Sequence, residues 1–236
     1  IRDRGYTFAG IWQEDEVNAP FVDANGQTNG KTNGEVYKVK PGNSKYVDIN
    51  KDGVYNDADQ GIIGCGQPTF NWGWNNTFNY KNFDFSFFVV GFHGFDIYNA
   101  THQMGYNLIK SQQVAGVTPM RELLNRWTPT NTNTNIPGFV NGGTENKDFF
   151  STRFVENGSF IKMKSITLGY TLPETACRAL GITNLRVYAS VQNPFHITNY
   201  SGLDPEATMG SPLVQGVDWG SYPNSRNYLI GLNFSF

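Results

Sequence analysis

The stretch Tyr228-Leu229-Ile230-Gly231-Leu232-Asn233-Phe234-Ser235-Phe236 decides the fold of this chain. Apolar side chains stand at every even position, whereas Gly231, Asn233 and Ser235 fall between them. Because successive side chains of a β-strand point to opposite faces, one face is aromatic and apolar and the other is small and polar. Such a strand is typical of a transmembrane β-barrel, with lipid on one side and water on the other. The alternative from this strand alone is the edge of a soluble β-sandwich.

The composition excludes several classes of protein. The chain has 236 residues, a net charge of −2, 15% aromatic and 16% charged residues, so the charge balance indicates no nucleic-acid partner. No apolar run approaches the ~20 residues that a membrane-spanning helix needs. Cys65 and Cys177 lack the spacing of a metal or redox motif, and we expect them to lie at opposite ends of the strands without a bond between them.

Six segments have the period of two that predicts strands: residues 5–12, 69–80, 82–93, 160–172, 184–193 and 225–236. Long connections (13–68, 94–159 and 194–224) alternate with short ones (80–82 and 173–183, where a helical turn is predicted). This alternation is typical of outer-membrane barrels, with short periplasmic turns, long extracellular loops and, here, a periplasmic C-terminus. Since the smallest such barrels have about eight strands, we expect a section of a larger barrel. The start at Ile1, without a signal peptide, agrees with that expectation.

Several segments resemble, in the same order, the late barrel of SusC/RagA-type TonB-dependent outer-membrane transporters. They are residues 48–53, 62–64, 75–84, 158–173, 185–195 and Tyr200-Ser201-Gly202-Leu203-Asp204-Pro205-Glu206. The resemblance spans nearly the whole chain and ends at the terminal phenylalanine. It implies an all-β fold: an antiparallel up-and-down transmembrane β-barrel section, about six strands of a roughly 22-stranded barrel with long extracellular loops. Residues 1–236 are then the C-terminal part of the barrel, without a plug domain.

The resemblance also implies a function and partners. Members of this family sit in the bacterial outer membrane and import large nutrients, such as oligosaccharides or peptides, together with a SusD-type surface lipoprotein that acts as a lid. TonB is contacted through an N-terminal part outside this chain, and the remaining barrel strands, the plug and membrane lipid or lipopolysaccharide surround the section. Two alternatives stay open: a secreted calcium-binding β-sandwich that binds carbohydrate, and a SusC-like barrel used as a scaffold in an envelope assembly.

The segment from Asp48 to Asp59 predicts a calcium site, because it fits the loop pattern D-x-[DN]-x-[DN]-G with Asp59 in place of the final Glu. Calcium takes six to eight oxygen ligands, and the shorter Asp59 side chain should lower the affinity. The alternative is a loop of Asx turns held by its own side chains. The predicted ligands are Asp48, Asn50, Asp52, the Val54 carbonyl, Asn56 through water, and Asp59, with Gly53 at the sharp turn.

No nucleophile and base occur in a catalytic pattern, and His93, His102 and His196 are scattered, so we expect no enzyme. Aromatic side chains in loops stack on sugar rings and anchor protein interfaces. Those predicted to contact substrate or the lid are Trp127, Tyr200, Trp219 and Tyr222. Trp72 and Trp74 instead suit a lipid-facing aromatic girdle. Residues 120–127 predict a short helix with Leu123, Leu124 and Trp127 on one side.

Overall fold

The computed structural model describes residues 2–106, 120–138, 149–179, 181–209 and 215–236. The strands are β1 (Arg2–Tyr6), β2 (Phe8–Ile11), β3 (Pro20–Val22), β4 (Thr28–Thr32), β5 (Ser44–Tyr46), β6 (Gln60–Cys65), β7 (Phe70–Tyr80), β8 (Phe83–His93), β9 (Asp96–Asn99), β10 (Val155–Asn157), β11 (Phe160–Thr171), β12 (Asn184–Thr198), β13 (Val217–Asp218) and β14 (Asn227–Ser235). The α-helices are α1 (Glu14–Asn18), α2 (Asn33–Tyr37), α3 (Ala100–Tyr106) and α4 (Glu174–Ala179). Short 3-10 helices span Asp57–Asp59, Arg121–Asn125, Thr152–Phe154 and Pro205–Met209. Within these ranges, no helix combines the length and the apolar character needed to cross a bilayer.

The chain divides into two compact units. The first, here called the loop unit, comprises Ile1–Cys65, Tyr98–Glu156 and Val217–Gly220. The second, here called the sheet unit, comprises Gly66–Ile97, Asn157–Gly216 and Ser221–Phe236. The long strands all belong to the sheet unit, whereas the loop unit carries most of the short elements.

The sheet unit is built on a five-stranded sheet in the order β14-β12-β11-β8-β7. Every pair of neighbours is antiparallel. These five strands also stand in the sheet in the order in which they occur along the chain. Tyr80 pairs with Phe83 across a two-residue turn in which Lys81 has φ 52°, and α4 lies in the other short connection. The predicted strands 69–80, 82–93, 160–172, 184–193 and 225–236 and the predicted helical turn are therefore confirmed.

The predicted strand 5–12 is corrected by the structure. It divides into β1 and β2, which pair with β6 and β5 in two small sheets and take no part in the five-stranded sheet. The second pairing is irregular between Phe8 and Gly10, and Gly10 has φ 118°, a value open to glycine but unfavourable for other residues. Strands of the long connection 13–68 thus pair with this segment, and that connection contains α1, α2 and β3 to β6 rather than irregular loop.

The loop unit has small hydrophobic clusters of its own. Trp12, Val17 and Val39 form one cluster, and Tyr98 with Phe154 forms the centre of another. The helix predicted for residues 120–127 is shorter than expected, a 3-10 helix that ends at Asn125. Its Leu123 is buried and Leu124 is 81% exposed, so the predicted shared side for the two leucines is wrong.

Candidate functional site

One face of the five-stranded sheet is apolar and exposed. The register aligns three cross-strand rows on it: Tyr80–Phe83–Tyr170–Val187–Leu232, Phe78–Phe85–Leu168–Ala189–Ile230 and Phe87–Ile166–Val191–Tyr228. Phe83 and Leu168 are each 51% exposed and Ile230 is 85% exposed. A contiguous apolar surface of this kind marks contact with lipid or with another protein. Trp72 lies over Gly91 on this face, and the neighbouring Trp74 is half exposed.

The opposite face of the same sheet is polar. Asp84 on β8 and Arg186 on β12 form a bidentate ion pair across β11, with Nε to Oδ1 at 2.9 Å and Nη2 to Oδ2 at 2.5 Å. The pair passes over Gly169, where a Cβ atom would lie 2.3 Å from Asp84 Oδ1. Thr167 and Ser190 share a hydrogen bond of 2.8 Å beside it. Charged and hydroxyl groups that satisfy one another suit a face turned toward water.

An ion cluster holds the connection between β12 and β14. The Lys162 side chain is 2% exposed, and its Nζ lies 2.8 Å from Asp204 Oδ2 and 2.7 Å from Glu206 Oε2. Lys164 also pairs with Glu206, and the Asn224 amide donates to Asp204 Oδ2 at 3.1 Å. Burial acts to raise the pKa of both carboxyl groups. Hydrogen bonds from Lys162 and the Asn224 amide to Asp204, and from Lys162 and Lys164 to Glu206, together with the lysine charges, outweigh burial and leave each pKa below its ordinary value. Both acids are therefore held in their charged form.

The ends of the predicted calcium loop are braced by two aspartates. Asp48 Oδ2 accepts hydrogen bonds from Gly53 N at 2.8 Å and from the Tyr37 hydroxyl at 2.9 Å. Asp59, only 1% exposed, accepts from Ile49 N at 2.8 Å and from Asn56 N at 3.0 Å. Gly53 has φ 82°, which fits the sharp turn expected at this position.

The middle of this loop is a chain of Asx turns. Asn50 Oδ1 accepts from Asp52 N at 3.1 Å, and Asp52 Oδ1 accepts from Val54 N at 2.8 Å. The Val54 amide, and next the side chain of Asn50, lower the pKa of Asp52. The Asn50 and Asn56 amide groups both donate to Asp52 Oδ2, so their nitrogens point where a cation needs oxygens. In the described part of the chain no three acidic, His or Cys side chains converge on a metal position, so calcium stays a prediction that requires these amides to turn.

An aromatic pocket that the sequence analysis missed lies beside this loop. The pocket has a volume of about 360 Å³ and is lined by residues that include Tyr37, Tyr46, Tyr55 and Phe149. Tyr37 stacks on Tyr55 with ring centroids 5.2 Å apart, and burial raises the pKa of Tyr55 to about 12. Tyr37, Tyr46 and Tyr55 lie nine residues apart in the sequence, but Phe149 follows 94 residues after Tyr55, so no local pattern predicts the convergence of all four rings.

The four aromatic residues predicted to contact substrate or the lid have different environments. Tyr200 is 5% exposed in a cluster with Phe95 and Phe160, so its ring is a core group and the prediction for it is corrected. Trp219 is 64% exposed and Tyr222 is 94% exposed, which leaves both rings accessible. Trp127 is half-buried and lines an open cleft of the loop unit.

The histidines lie on three separate elements: His93 ends β8, His102 is in α3 and His196 is in β12. His102 Nδ1 is 3.5 Å from Glu156 Oε1, and Asn99 donates to the same oxygen at 3.0 Å. These contacts link β9 and α3 to β10, and the three side chains that make them include no nucleophile.

Comparison with known proteins gives consistent relatives. No family model matches the chain. The chain is 32% identical over 238 residues to TonB-dependent receptor P3 of Formosa agariphila, which covers 98% of this chain and 22% of that protein. It is 30% identical over 198 residues to TonB-dependent receptor SusC of Bacteroides thetaiotaomicron, which covers 84% of this chain and 18% of that protein. The chain thus spans about a fifth of the length of the curated relatives it matches.

Among solved structures, the chain is similar to the RagAB peptide transporter. The match has a TM-score of 0.72 and 22% identity, and it covers 100% of this chain and 22% of that one. At this identity the match shows the fold alone: the antiparallel sheet and its connections correspond to about a fifth of that chain. The relatives are receptors and transporters rather than enzymes, and the resemblance predicted from the sequence is confirmed.

Proposed function

We propose that this chain, a homologue of SusC-type TonB-dependent receptors, is a barrel section of an outer-membrane importer of large nutrients. The observation that carries the proposal is the five-stranded sheet with one exposed apolar face and one polar, ion-paired face. The apolar face meets lipid and the polar face lines the interior of the barrel. Backbone groups in lipid must be paired, so β7 and β14, at the two ends of the sheet order, pair with further strands of the same protein.

The connections support an orientation. Asn184 and Ser235 pair at the sheet end that carries the two short connections, and the longer connections leave from the other end. Short turns on the periplasmic side and long loops outside are the rule in such barrels. The proposal therefore places the C-terminus in the periplasm and the long connections at the cell surface.

The proposed partners follow from the family. A SusD-type lipoprotein acts as the lid, and TonB acts through parts of the protein outside this chain. The cargo class is an oligosaccharide or a peptide, and RagAB, whose structure is similar, is a peptide transporter. The exposed rings of Trp219 and Tyr222 are proposed to contact the cargo or the lid, because accessible aromatic groups are enriched at both kinds of contact.

The β-sandwich alternative requires the phenylalanines of β8 to lie in a dry interior between two sheets. Phe83 is 51% exposed and Phe85 is 36% exposed, which argues against that packing. The scaffold alternative shares the barrel and differs only in what the intact protein does, so a transport measurement separates the two.

The test is uptake by the native bacterium. Deletion of the gene is expected to abolish growth on one class of large oligosaccharide or peptide, and complementation with the intact gene should restore it. Loss of TonB, or collapse of the proton gradient with an ionophore, should abolish uptake equally, because import is energised from the inner membrane. The deletion strain could instead grow normally on every such nutrient and show a defect in envelope assembly. That result would contradict import and support the scaffold alternative.

A further inference from the structure

The most informative unassigned feature is an open cleft in the loop unit. Its volume is about 760 Å³, within the ~300–1,000 Å³ typical of ligand sites. One aromatic ring, that of Trp127, stands among polar side chains. The lining residues are Gln13, Glu14, Asp15, Asn18, Trp127, Pro129, Thr132 and Asn133.

The Trp127 ring is held rigidly from behind. Cβ atoms at Gly42 and Gly138 would lie 2.6 and 3.0 Å from the ring, so both glycines let it seat directly on backbone. The indole Nε1 donates to Gln13 Oε1 at 2.9 Å, and the Trp127 amide donates to Ile136 O at 2.8 Å. A ring fixed in this way loses little conformational freedom when a ligand stacks on it.

A second open cleft of about 590 Å³ adjoins the first, because Gln13, Thr132 and Asn133 line both. The segment between the clefts is ordered by its own hydrogen bonds, including Thr134 Oγ1 to Asn125 O at 2.7 Å. The two clefts together form a trough lined mainly by uncharged amide and hydroxyl side chains. These are Gln13, Asn18, Asn125, Thr132, Asn133, Thr134 and Asn135.

The charges of the trough set the sign of the ligand. Glu14 and Asp15 line the first cleft, and they disfavour an anionic ligand. Lys45 is the cation among the described lining residues, and it is engaged with Glu16 at 2.6 Å and stacked over the Trp12 ring at 4.6 Å. Carboxylates accept hydrogen bonds from hydroxyl groups, and amides both donate to hydroxyl groups and accept from them. A neutral sugar carries hydroxyl groups on every ring.

We propose that this trough binds a neutral oligosaccharide, with one sugar ring stacked on Trp127 and the adjoining units hydrogen-bonded to Thr132 and Asn133. A stacking aromatic ring suits the apolar face of a sugar, and the uncharged polar lining suits its hydroxyl groups. A peptide would instead need apolar pockets for its side chains, which this mainly polar lining supplies poorly. The inference rests on the proposed function for the role of the glycan as cargo, whereas binding is measured separately from import.

The experiment uses the intact protein purified from the outer membrane in detergent. A panel of neutral oligosaccharides from α-glucans, β-glucans, xylans and mannans is titrated by calorimetry, beside uronate-containing oligosaccharides and mixed peptides. We expect one neutral series to bind and the acidic series to bind at least about tenfold more weakly. Trp127→Ala should lower the affinity at least about tenfold, whereas Trp127→Phe should retain most of it, because a stacking ring remains.

The matched control is Leu124→Ala, three residues from Trp127 and outside the two linings, which should bind as the wild type does. Glu14→Gln should leave neutral sugar binding within about threefold and strengthen binding of the acidic series. Failure of every neutral sugar to bind, equal binding by Trp127→Ala, or a peptide bound with Trp127 dependence would overturn the proposal. If the protein binds sugar in a Trp127-dependent way but shows no uptake activity, the binding site is supported and the proposed import function is contradicted.

Discussion

At the residue scale, a few side chains fix segments that have little other support. Asp48 and Asp59 brace the loop between β5 and β6 by accepting backbone hydrogen bonds at both of its ends. Lys162 does the same for the connection before β14 by pairing with Asp204 and Glu206. In both places a charged group is stabilised by hydrogen bonds to it, so changing its charge has a local structural effect.

The braced loop carries the calcium prediction. We expect the intact protein to bind Ca²⁺ weakly, at millimolar concentrations, because Asp59 is shorter than the usual Glu and two amides must turn. Asp52→Asn should abolish the heat of binding, since it removes the central carboxylate. Asp57→Asn, an acidic residue outside the predicted ligand set, is the matched control and should keep it. If the wild-type protein gives no heat of Ca²⁺ binding, the calcium prediction is wrong and the loop is held by its Asx turns alone.

The ion cluster predicts a loss of order in acid. Both carboxyl groups have a pKa lowered in the folded state, so their stabilising contribution is complete at neutral pH and is lost as the pH falls below ~4 and through the folded pKa values. Hydrogen exchange of residues 199–209 should accelerate at pH ~3 relative to the sheet strands, after correction for intrinsic rates.

Glu206→Gln should show faster exchange already at neutral pH, because the neutral amide cannot replace the charge beside two lysines. Glu174→Gln is the control, since the Glu174–Arg178 pair is more than 80% exposed on both sides. Protection of residues 199–209 that is the same at neutral and acid pH would show that the cluster does not hold this connection.

At the element scale, a β-bulge in β11 decides which side chains face which way. Met163 pairs with Val89 and Ser165 with Phe88, so Lys164 is an extra residue relative to β8. Alternation read back from Ile166 would place Lys162 on the apolar face. The bulge instead puts Lys162 on the same face as Ser165 and Thr167, where the carboxyl groups meet it.

Two single-residue deletions test this arrangement. Deleting Lys164 should leave both faces of β11 aligned with β8, so its cost is confined to the pair with Glu206 and to the pairing with β12, where Asn193 and Pro194 lie opposite Lys164. Thr167 lies in a regular stretch of β11. Its deletion should therefore reverse the faces of one half of the strand and move polar groups into lipid, at a cost of several kcal/mol. Folded protein in the outer membrane, measured by heat-modifiable mobility on gels, should persist for the first deletion and vanish for the second. Equal yields would contradict the assigned faces.

At the scale of the whole molecule, the sheet is incomplete by itself. Its apolar face is exposed over five strands, and its end strands β7 and β14 each have one edge without a strand partner in the described residues. Under the proposed function such edges would lie in lipid, where each unpaired backbone group costs several kcal/mol, so the proposal requires further strands of the same protein beside β7 and β14. The uptake experiment therefore belongs to the intact protein.

The sequence by itself determined the strands of the sheet and the nature of their two faces. Side-chain alternation is a local property of extended backbone, so the rows that begin at Tyr228 and Ile230 could be recognised without knowing their neighbours. The alternation of long and short connections likewise predicted the antiparallel order from residue 69 onward. The calcium pattern was recognisable for the same reason, since its residues are consecutive.

Only the tertiary structure decided what depends on partners distant in sequence. It showed that residues 5–12 pair with β5 and β6, that Tyr200 is buried, and that Lys162 meets Asp204 and Glu206. It also brought Trp127 to Gln13, 114 residues away, through a ring seated on Gly42 and Gly138. Strand pairing, burial and ion pairing are set by competition among distant segments for the same backbone groups and charges, and no local pattern records which segment prevails.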